Sequence, residues 1–326
     1  MEKIKLEDVA KLAGVSPTTV SRVINNRGSI SEKTRDKVSK AMDDLNYYPN
    51  EIARSLFVQK TNSIGILFPT LSDPFFGELA TRIEQQLAAY NYKVLICNTN
   101  NHLEYETKYL RMLLANQVDG IIVGSHNTPS EIYQTANLPI VAIDRFVSTK
   151  VPNIRSDNYQ GACLATQHLI DKGCKNIAIL SGSNSLDVQY GDLRIKGYLD
   201  TIKNHQTRDY IHFVQFEQQI DIQKKETIHF LESYPEVDGV FATGDVLAGL
   251  LYSESKKYNR KIEIVGYDGT ELFLNYFQNF STIKQPIEEM VNKAVELILE
   301  FIDQDFHQTE KEFVFPIQLI EYGNIS

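Results

Sequence analysis

The sequence predicts two folded parts of different class: an N-terminal three-helix helix-turn-helix unit, and a larger α/β body of two similar lobes, each built on a parallel sheet. Three observations carry this. Residues 6 to 28 read LEDVAKLAGVSPTTVSRVINNRG, a helix, a glycine turn and a second helix opened by Ser-Pro. From Asn62 onward, short apolar runs alternate with amphipathic stretches, and the alternation runs twice, once before about Asn158 and once after. Charge divides along the same line. Residues 1–60 hold 11 Lys+Arg against 8 Asp+Glu, so the whole-chain balance of −9 conceals a basic N-terminal segment and an acidic body. A basic segment attracts phosphate and an acidic body repels it, so any nucleic-acid contact is confined to the N-terminus.

In the first helix, Val9, Ala10, Leu12 and Ala13 form an apolar face at helical spacing, and Ala10 is small enough for a second helix to cross closely. Gly14 supplies the left-handed residue that ends a helix. Ser16 suits the N-cap and Pro17 the first helical position of the second helix. Val15, Val20 and Val23 point back into the same small core, which leaves Pro17, Thr18, Ser21, Arg22 and Asn25 outward. Short hydrogen-bonding side chains with one guanidinium can read base edges in a major groove. Ser31 caps a third helix over 32–46, with Val38, Met42 and Leu45 as its apolar stripe. Tyr47-Tyr48-Pro49 breaks that helix. Residues 50–61 form a short helix capped by Asn50, too short to hold in water without a partner. The expected domains are therefore 1–46, a linker at 47–61, and the body at 62–326.

In the body, strands are expected at 64–69, 93–99, 120–124, 140–144, 176–182, 212–216, 239–243 and 262–267. Helices fill the gaps, for example at 77–90, 104–116, 161–172 and 245–257, with a further helix at 287–303 and a tail strand at 313–321. Regular alternation implies parallel sheets covered on both faces. Ligands of such sheets bind at the C-terminal strand ends. The residues just beyond the strands are therefore candidates: Asp73-Pro74-Phe75-Phe76, Asp144-Arg145, a loop ending near Arg194, Phe216 or a neighbour, Gly244-Asp245, Asp268, and Gln285 near the crossover. Carboxylates and guanidiniums each take two hydroxyls and aromatic faces cover C–H surface, so this set suits a polyhydroxylated ligand.

Other classes are excluded by missing motifs. The chain carries no P-loop, no GxGxxG, no GxSxG and no metal-spaced His/Cys set, so no enzyme, cofactor or metal is expected. Three cysteines without CxxC spacing fit reduced thiols in a cytoplasm. The N-terminus runs straight into a charged helix without a signal peptide, and no apolar run approaches the ~20 residues that span a bilayer.

Five segments, DVAKLAGVSPTTVSRVIN (Asp8–Asn25), SEKTRDKV (Ser31–Val38), LNYYPNEIARSL (Leu45–Leu56), VDGIIV (Val118–Val123) and GYD (Gly266–Asp268), carry a resemblance. Through them the chain resembles the LacI/GalR family of bacterial transcriptional repressors over its whole length. SPTTVSRVIN followed by ICNTNN, NQVDGIIVGSHN and AIDR looks like the sucrose-operon branch of low-GC Gram-positive bacteria. The resemblance implies that the second helix is the recognition helix, with Pro17, Thr18 and Arg22 on bases and Ser16, Ser21, Asn25 and Ser31 on phosphates. It makes residues 50–56 a hinge helix that folds against its dimer mate over the minor groove, with Asn50, Ala53 and Leu56 in the DNA-contacting set and Leu56 wedged into the central base step. Phe57 departs from the small or basic residue usual after that leucine.

For the body, the resemblance implies a periplasmic-binding-protein-like (type I) fold of two Rossmann-like lobes joined by three crossovers. The N-lobe would span about 62–159 and 286–316, and the C-lobe about 160–285 and 317–326. Asp73, Phe75, Phe76, Asp144, Arg145, Arg194, Asp268 and Gln285 match family effector positions, and Phe216 matches loosely. Gly244 replaces an Asn common in relatives, which removes a ligand hydrogen bond and enlarges the pocket for a disaccharide. The implied partners are a pseudo-palindromic operator, a second copy of the chain in a homodimer, and a small sugar such as sucrose or fructose, an inducer if it favours the arrangement that separates the hinges, as in sugar-operon relatives, and a corepressor if it favours the opposite. An alternative within the family is a catabolite-control regulator whose corepressor is a phosphorylated carrier protein.

Overall fold

The computed structural model describes residues 4–49, 60–115, 118–124, 131–182, 193–205, 208–214, 220–303 and 312–321. The expected hinge helix, with Asn50, Ala53, Leu56 and Phe57, lies outside the described residues, as does Phe216. The chain divides into two compact units, Met1–Thr61 and Asn62–Ser326.

The first unit holds α1 (Leu6–Ala13), α2 (Pro17–Ile24) and α3 (Glu32–Asp44). The Asp8 carboxylate accepts the Lys5 backbone N–H at 2.8 Å and closes the first turn. Gly14 ends α1 in the left-handed region at φ 66°. Ser16 and Ser31 cap α2 and α3, their hydroxyls accepting from the Thr19 and Thr34 N–H groups at 3.1 and 3.3 Å. Val9, Ala10, Ala13, Val20, Val38 and Ala41 make the core. Leu12, expected on that face, is 53% exposed. At 3.6 residues per turn it falls about 100° from the centre of the Val9–Ala10–Ala13 arc. The third helix stops two residues short of expectation, because Asn46 turns left-handed at φ 48°.

In the second unit the N-lobe sheet uses β1 (Ser63–Phe68), β2 (Lys93–Asn98), β3 (Gly120–Val123), β4 (Ile140–Ile143) and β5 (Asn153–Ser156). Its helices are α4 (Pro74–Ala89), α5 (Leu103–Leu114) and the short α6 (Glu131–Thr135). The C-lobe follows with α7 (Asn158–Asp171), β6 (Ile177–Ser181), α8 (Leu193–Asn204), β7 (Tyr210–Phe213), α9 (Ile220–Ser233) and β8 (Gly239–Ala242). It continues with α10 (Asp245–Lys257), β9 (Glu263–Asp268), α11 (Glu271–Tyr276) and β10 (Ser281–Lys284). The chain then returns through α12 (Ile287–Asp303) and β11 (Glu312–Phe315) to the N-lobe, and ends with β12 (Gln318–Ile320) in the C-lobe. The strand orders are β11-β5-β4-β3-β1-β2 and β12-β10-β9-β8-β6-β7. All pairings are parallel except β10 with β12.

Three crossovers therefore join the lobes: after Ser156, after Lys284, and at Pro316. The expected single tail strand is two strands on two sheets. Pro316 lacks the N–H that would continue a ladder, so the chain leaves one sheet there and enters the other. The apolar face of α12, including Met290, Val291, Ala294 and Ile298, packs with Leu79, Ile83 and Leu87 of α4 in the N-lobe core. Strand β7 lies two residues earlier than expected, its register opening with Ala178 opposite the buried Tyr210. Strands β5 and β10, NIRS and STIK, have no apolar run to announce them. Among the described residues no helix is long and apolar enough to cross a membrane.

Candidate functional site

Two regions collect the singled-out residues, one in each unit. On α2, Pro17, Thr18 and Arg22 are exposed, and Ser21 and Asn25 are half-buried beside them. The spacing from 17 to 25 places them on one stripe opposite the buried Val20. The Asn25 amide donates to the Ser21 carbonyl at 2.8 Å, so it also closes the helix end. The Ser16 hydroxyl lies 2.9 Å from that of Thr19, and the Ser31 hydroxyl 2.8 Å from that of Thr34. Both serines sit at helix N-termini, where free N–H groups favour phosphate oxygens.

In the body, the ends of the strands converge on one network between the lobes. Asp144, just beyond β4, accepts the Asn158 amide at 2.7 Å. Arg194, at the start of α8, donates through Nε to Asn158 Oδ1 at 2.7 Å and through Nη1 to the Thr243 carbonyl at 2.6 Å. Its Nη2 lies 3.4 Å from Asp144 Oδ2, an ion pair across the lobes. The guanidinium stacks on Tyr267, 3.7 Å from the ring centre, which fixes its plane. Asp268 accepts the Gln285 amide at 2.8 Å, and Gln285 in turn accepts the Ser156 hydroxyl at 2.8 Å. Ser156 and Gln285 stand on two different crossovers, so this chain of bonds ties the lobe joints to Asp268.

Backbone geometry marks the same two carboxylates. Among the described residues, the non-glycine positions with positive φ are asparagines except for Asp144 at φ 50° and Asp268 at φ 112°. Strained backbone of this kind collects at binding sites, where the surrounding structure holds it. Burial pushes the Asp268 carboxyl well above the usual range, and the neighbouring Asp73 and Asp245 push it further while Arg194 opposes. Asp73, buried at the head of α4, is likewise raised by burial, against the hydrogen bonds of the Phe75 and Phe76 N–H groups and the charge of Arg194.

Asp245 braces the site from below. It accepts the Thr282 hydroxyl at 2.6 Å and the Gly269 N–H at 2.8 Å. A Cβ at Gly266 would lie 2.2 Å from its Oδ1, so only glycine fits there. Burial, and then Asp73, push the Asp245 carboxyl up to about 7. An unfolded aspartate titrates near 3.9, so the folded body keeps a proton that the unfolded chain gives up between about pH 4 and pH 7. This group's contribution to stability therefore falls as pH rises through that window. Asp245→Asn removes the titration, so the wild-type melting temperature should drop relative to the variant between pH 5 and pH 8. A difference that stays constant over that range contradicts the assignment.

The structure does not join every expected residue to this network. Arg145 is buried and pulled below the usual arginine range by desolvation, against the opposing influence of Glu106 and the neighbouring Tyr133. The Tyr133 hydroxyl donates to Glu106 at 2.5 Å, so Arg145 completes a cluster inside the N-lobe. Its Nε has no hydrogen-bond partner among the described residues. Phe75 and Phe76 are each 5% exposed and belong to the N-lobe core, their ring centres 5.3 Å apart. Sequence reasoning missed Asn158, Ser156 and Tyr267. Asn158 follows Asp157, which caps α7 through the Gln160 N–H at 3.0 Å, so the pair reads in sequence as an ordinary helix start. A Cβ at Gly244 would stand 3.6 Å from Asp268 Oδ2, in ordinary contact.

Residues 61–300 match the family profile described as periplasmic binding proteins and sugar binding domain of LacI family, and residues 5–50 match bacterial regulatory proteins, lacI family. The chain is 42% identical over 323 residues to a sucrose operon repressor of Pediococcus pentosaceus, covering 98% of each. It is also 42% identical to a sucrose operon repressor of Lactococcus lactis subsp. lactis, over 98% of this chain and 99% of the other. A crystal structure of a periplasmic binding protein/LacI transcriptional regulator from Alkaliphilus metalliredigens QYMF, complexed with D-xylulofuranose, is 28% identical. It superposes with a TM-score of 0.72 over 80% of this chain and 97% of the other.

Proposed function

The chain belongs to the lacI family of bacterial regulatory proteins, and from that membership and the cleft we propose that it is a homodimeric repressor of a sugar-utilisation operon, with sucrose or a sugar derived from it as inducer. It is a DNA-binding regulator and not an enzyme. The observation that carries the reading is the Asp144–Asn158–Arg194 network, which links a carboxylate of one lobe to a guanidinium of the other at the strand ends.

The mechanism follows from that geometry. Asp144 and Asp268 each offer a carboxylate to two sugar hydroxyls, Arg194 donates from its fixed plane on Tyr267, and Gln285 holds Asp268 in place. A sugar held by groups from both lobes favours the lobe arrangement in which all of them reach it. Because Ser156 and Gln285 stand on the crossovers, that arrangement is set at the joints and passes to the N-lobe. The linkers at 47–61 join the N-lobes directly in sequence, so sugar binding and operator binding share one equilibrium. Pro17, Thr18 and Arg22 read bases in each half-site, and Ser16, Ser21, Asn25 and Ser31 hold phosphates. The names of the two bacterial relatives support sucrose over other sugars.

A thermal-shift titration tests the reading. A sugar present at 100 times its dissociation constant stabilises by about 2.7 kcal/mol, roughly 5–10 °C for a body of this size. Sucrose or fructose should give such a shift and lower operator affinity; no shift from any sugar would refute the proposal. Gly244→Asn adds a short amide beside Asp268 where space exists. It should tighten binding of a monosaccharide such as fructose and weaken that of sucrose, each by about tenfold for one hydrogen bond gained or one clash made. Equal change for both sugars contradicts the placement of Gly244 in the pocket.

A further inference from the structure

We propose that Glu78, Arg82 and Glu271 form an outer latch that positions the two lobes for the ligand, an inference that rests on the sugar-responsive reading above. The latch joins α4 of the N-lobe to the head of α11 in the C-lobe. Arg82 donates through Nε to Glu78 Oε1 at 2.9 Å, a pair at i, i+4 helical spacing that aims the guanidinium. Its Nη2 donates to Glu271 Oε1 at 2.6 Å, from one lobe to the other. The second oxygen of Glu78 accepts the Glu271 backbone N–H at 2.9 Å. These bonds close a ring, and parting the lobes breaks both of those that reach Glu271.

Each end of the latch is anchored in its own lobe and adjoins a cleft carboxylate. Leu79 and Ile83 of α4 belong to the N-lobe core, and Phe273 of α11 to the C-lobe core. Asp73 caps α4 ahead of Glu78, about 7.5 Å away along the helix axis. Asp268 precedes Glu271 by a single short turn through Gly269 and Thr270. The charge of Asp73 acts on Asp268, so the two stand close, and a movement that parts the latch carries them apart. The inner link differs in kind. Asp144 and Arg194 are groups that the sugar itself engages, so ligand competes with their 3.4 Å pair. The latch stands outside those groups and keeps its bonds when the ligand is seated. It therefore raises the fraction of chains already in the binding arrangement, and apparent affinity scales with that fraction. The Glu271 side chain is 72% exposed, so the ion pair is screened and acts as a bias on the lobes, not a lock.

Two measurements on the full chain test this: calorimetric titration with sucrose and with fructose, and hydrogen–deuterium exchange of the amide at position 271, read by mass spectrometry. Arg82→Gln removes the cation and should weaken sugar binding about two- to fivefold, the range of an exposed ion pair. Arg82→Glu sets like charges against Glu78 and Glu271 and should weaken it on the order of tenfold. Both should speed exchange at position 271, whose N–H is freed as the lobes part. Adding Glu271→Arg to Arg82→Glu reverses the pair and should bring affinity back to within about threefold of wild type and restore protection. A merely structural role for Arg82 would leave the double variant as weak as the single one, and that result overturns the inference. Unchanged sugar affinity in both single variants overturns it too, even with faster exchange, since the lobes then part without consequence for the ligand. If the wild-type chain binds neither sugar, the sugar-responsive reading fails on its own account. Exchange then decides the latch: faster in Arg82→Glu and restored in the double variant upholds it, and unchanged exchange overturns it.

Discussion

Arg22→Ala abolishes the preference of the dimer for its operator over unrelated DNA while leaving sugar binding unchanged. Arg22 is exposed on α2, on the stripe that also carries Pro17 and Thr18. A guanidinium bidentate to a guanine edge contributes about 1–3 kcal/mol of discrimination. A homodimer uses it once in each half-site, so roughly 2–6 kcal/mol is at stake, a loss of about 30-fold to more than a thousandfold. The helix itself should survive, since alanine is the better helix former and the buried contacts of α2 run through Val20. Residual binding to any sequence should persist through the other basic side chains of residues 1–60 and weaken with salt. Gel-shift competition with operator and scrambled duplexes reads the ratio directly. An unchanged ratio removes α2 from the recognition role.

Asp144→Ala removes the sugar response and keeps operator affinity. The carboxylate is mostly buried, with Arg194 and Asn158 both bound to it. Removing one partner of a buried pair leaves the other charge poorly compensated, a cost of about 3–5 kcal/mol. The same change deletes an acceptor for sugar hydroxyls. Sugar affinity should therefore fall by at least about 100-fold, judged against 1.4 kcal/mol per factor of ten. Asp144→Asn is the informative companion. Asparagine tolerates the positive φ of this position better than alanine does, so the fold is spared, but the charge facing Arg194 is gone. The Asn variant, whose amide oxygen can still accept a hydrogen bond, should melt between Asp144→Ala and wild type and respond to sugar only weakly. A full response in either variant means that Asp144 does not touch the ligand.

Much of the architecture is legible because periodicity reports burial. The helix over 287–303 is expected from its apolar spacing and is found at Ile287–Asp303, although its packing on the N-lobe follows only from the crossovers. The strands of the two sheets that read poorly, β5 and β10, are polar four-residue segments whose pairing is decided by their neighbours. Pro316 is visible, yet its consequence, a change of sheet, depends on how the third crossover runs. The site is legible in the same uneven way. Asp144, Arg194, Asp268 and Gln285 stand at strand ends or crossovers, and the fold brings them together. Asn158 stays hidden because helix-capping chemistry explains it fully until the first crossover sets it between Asp144 and Arg194. Arg145 and the phenylalanine pair show the converse. Their positions in sequence fit the cleft, but Glu106 and the N-lobe core hold their side chains.

One chain couples a sugar in the Asp144–Arg194 cleft to operator release. The most direct measurement selects the preferred duplex from a random pool with the full-length protein, then follows its release by fluorescence anisotropy as sucrose or fructose is added. Expected are a pseudo-palindromic site, release by about 5- to 150-fold in affinity, as a coupling of about 1–3 kcal/mol gives, and no release from Asp144→Ala. A selected site without two-fold symmetry, or sugar binding that leaves operator affinity unchanged, would contradict it.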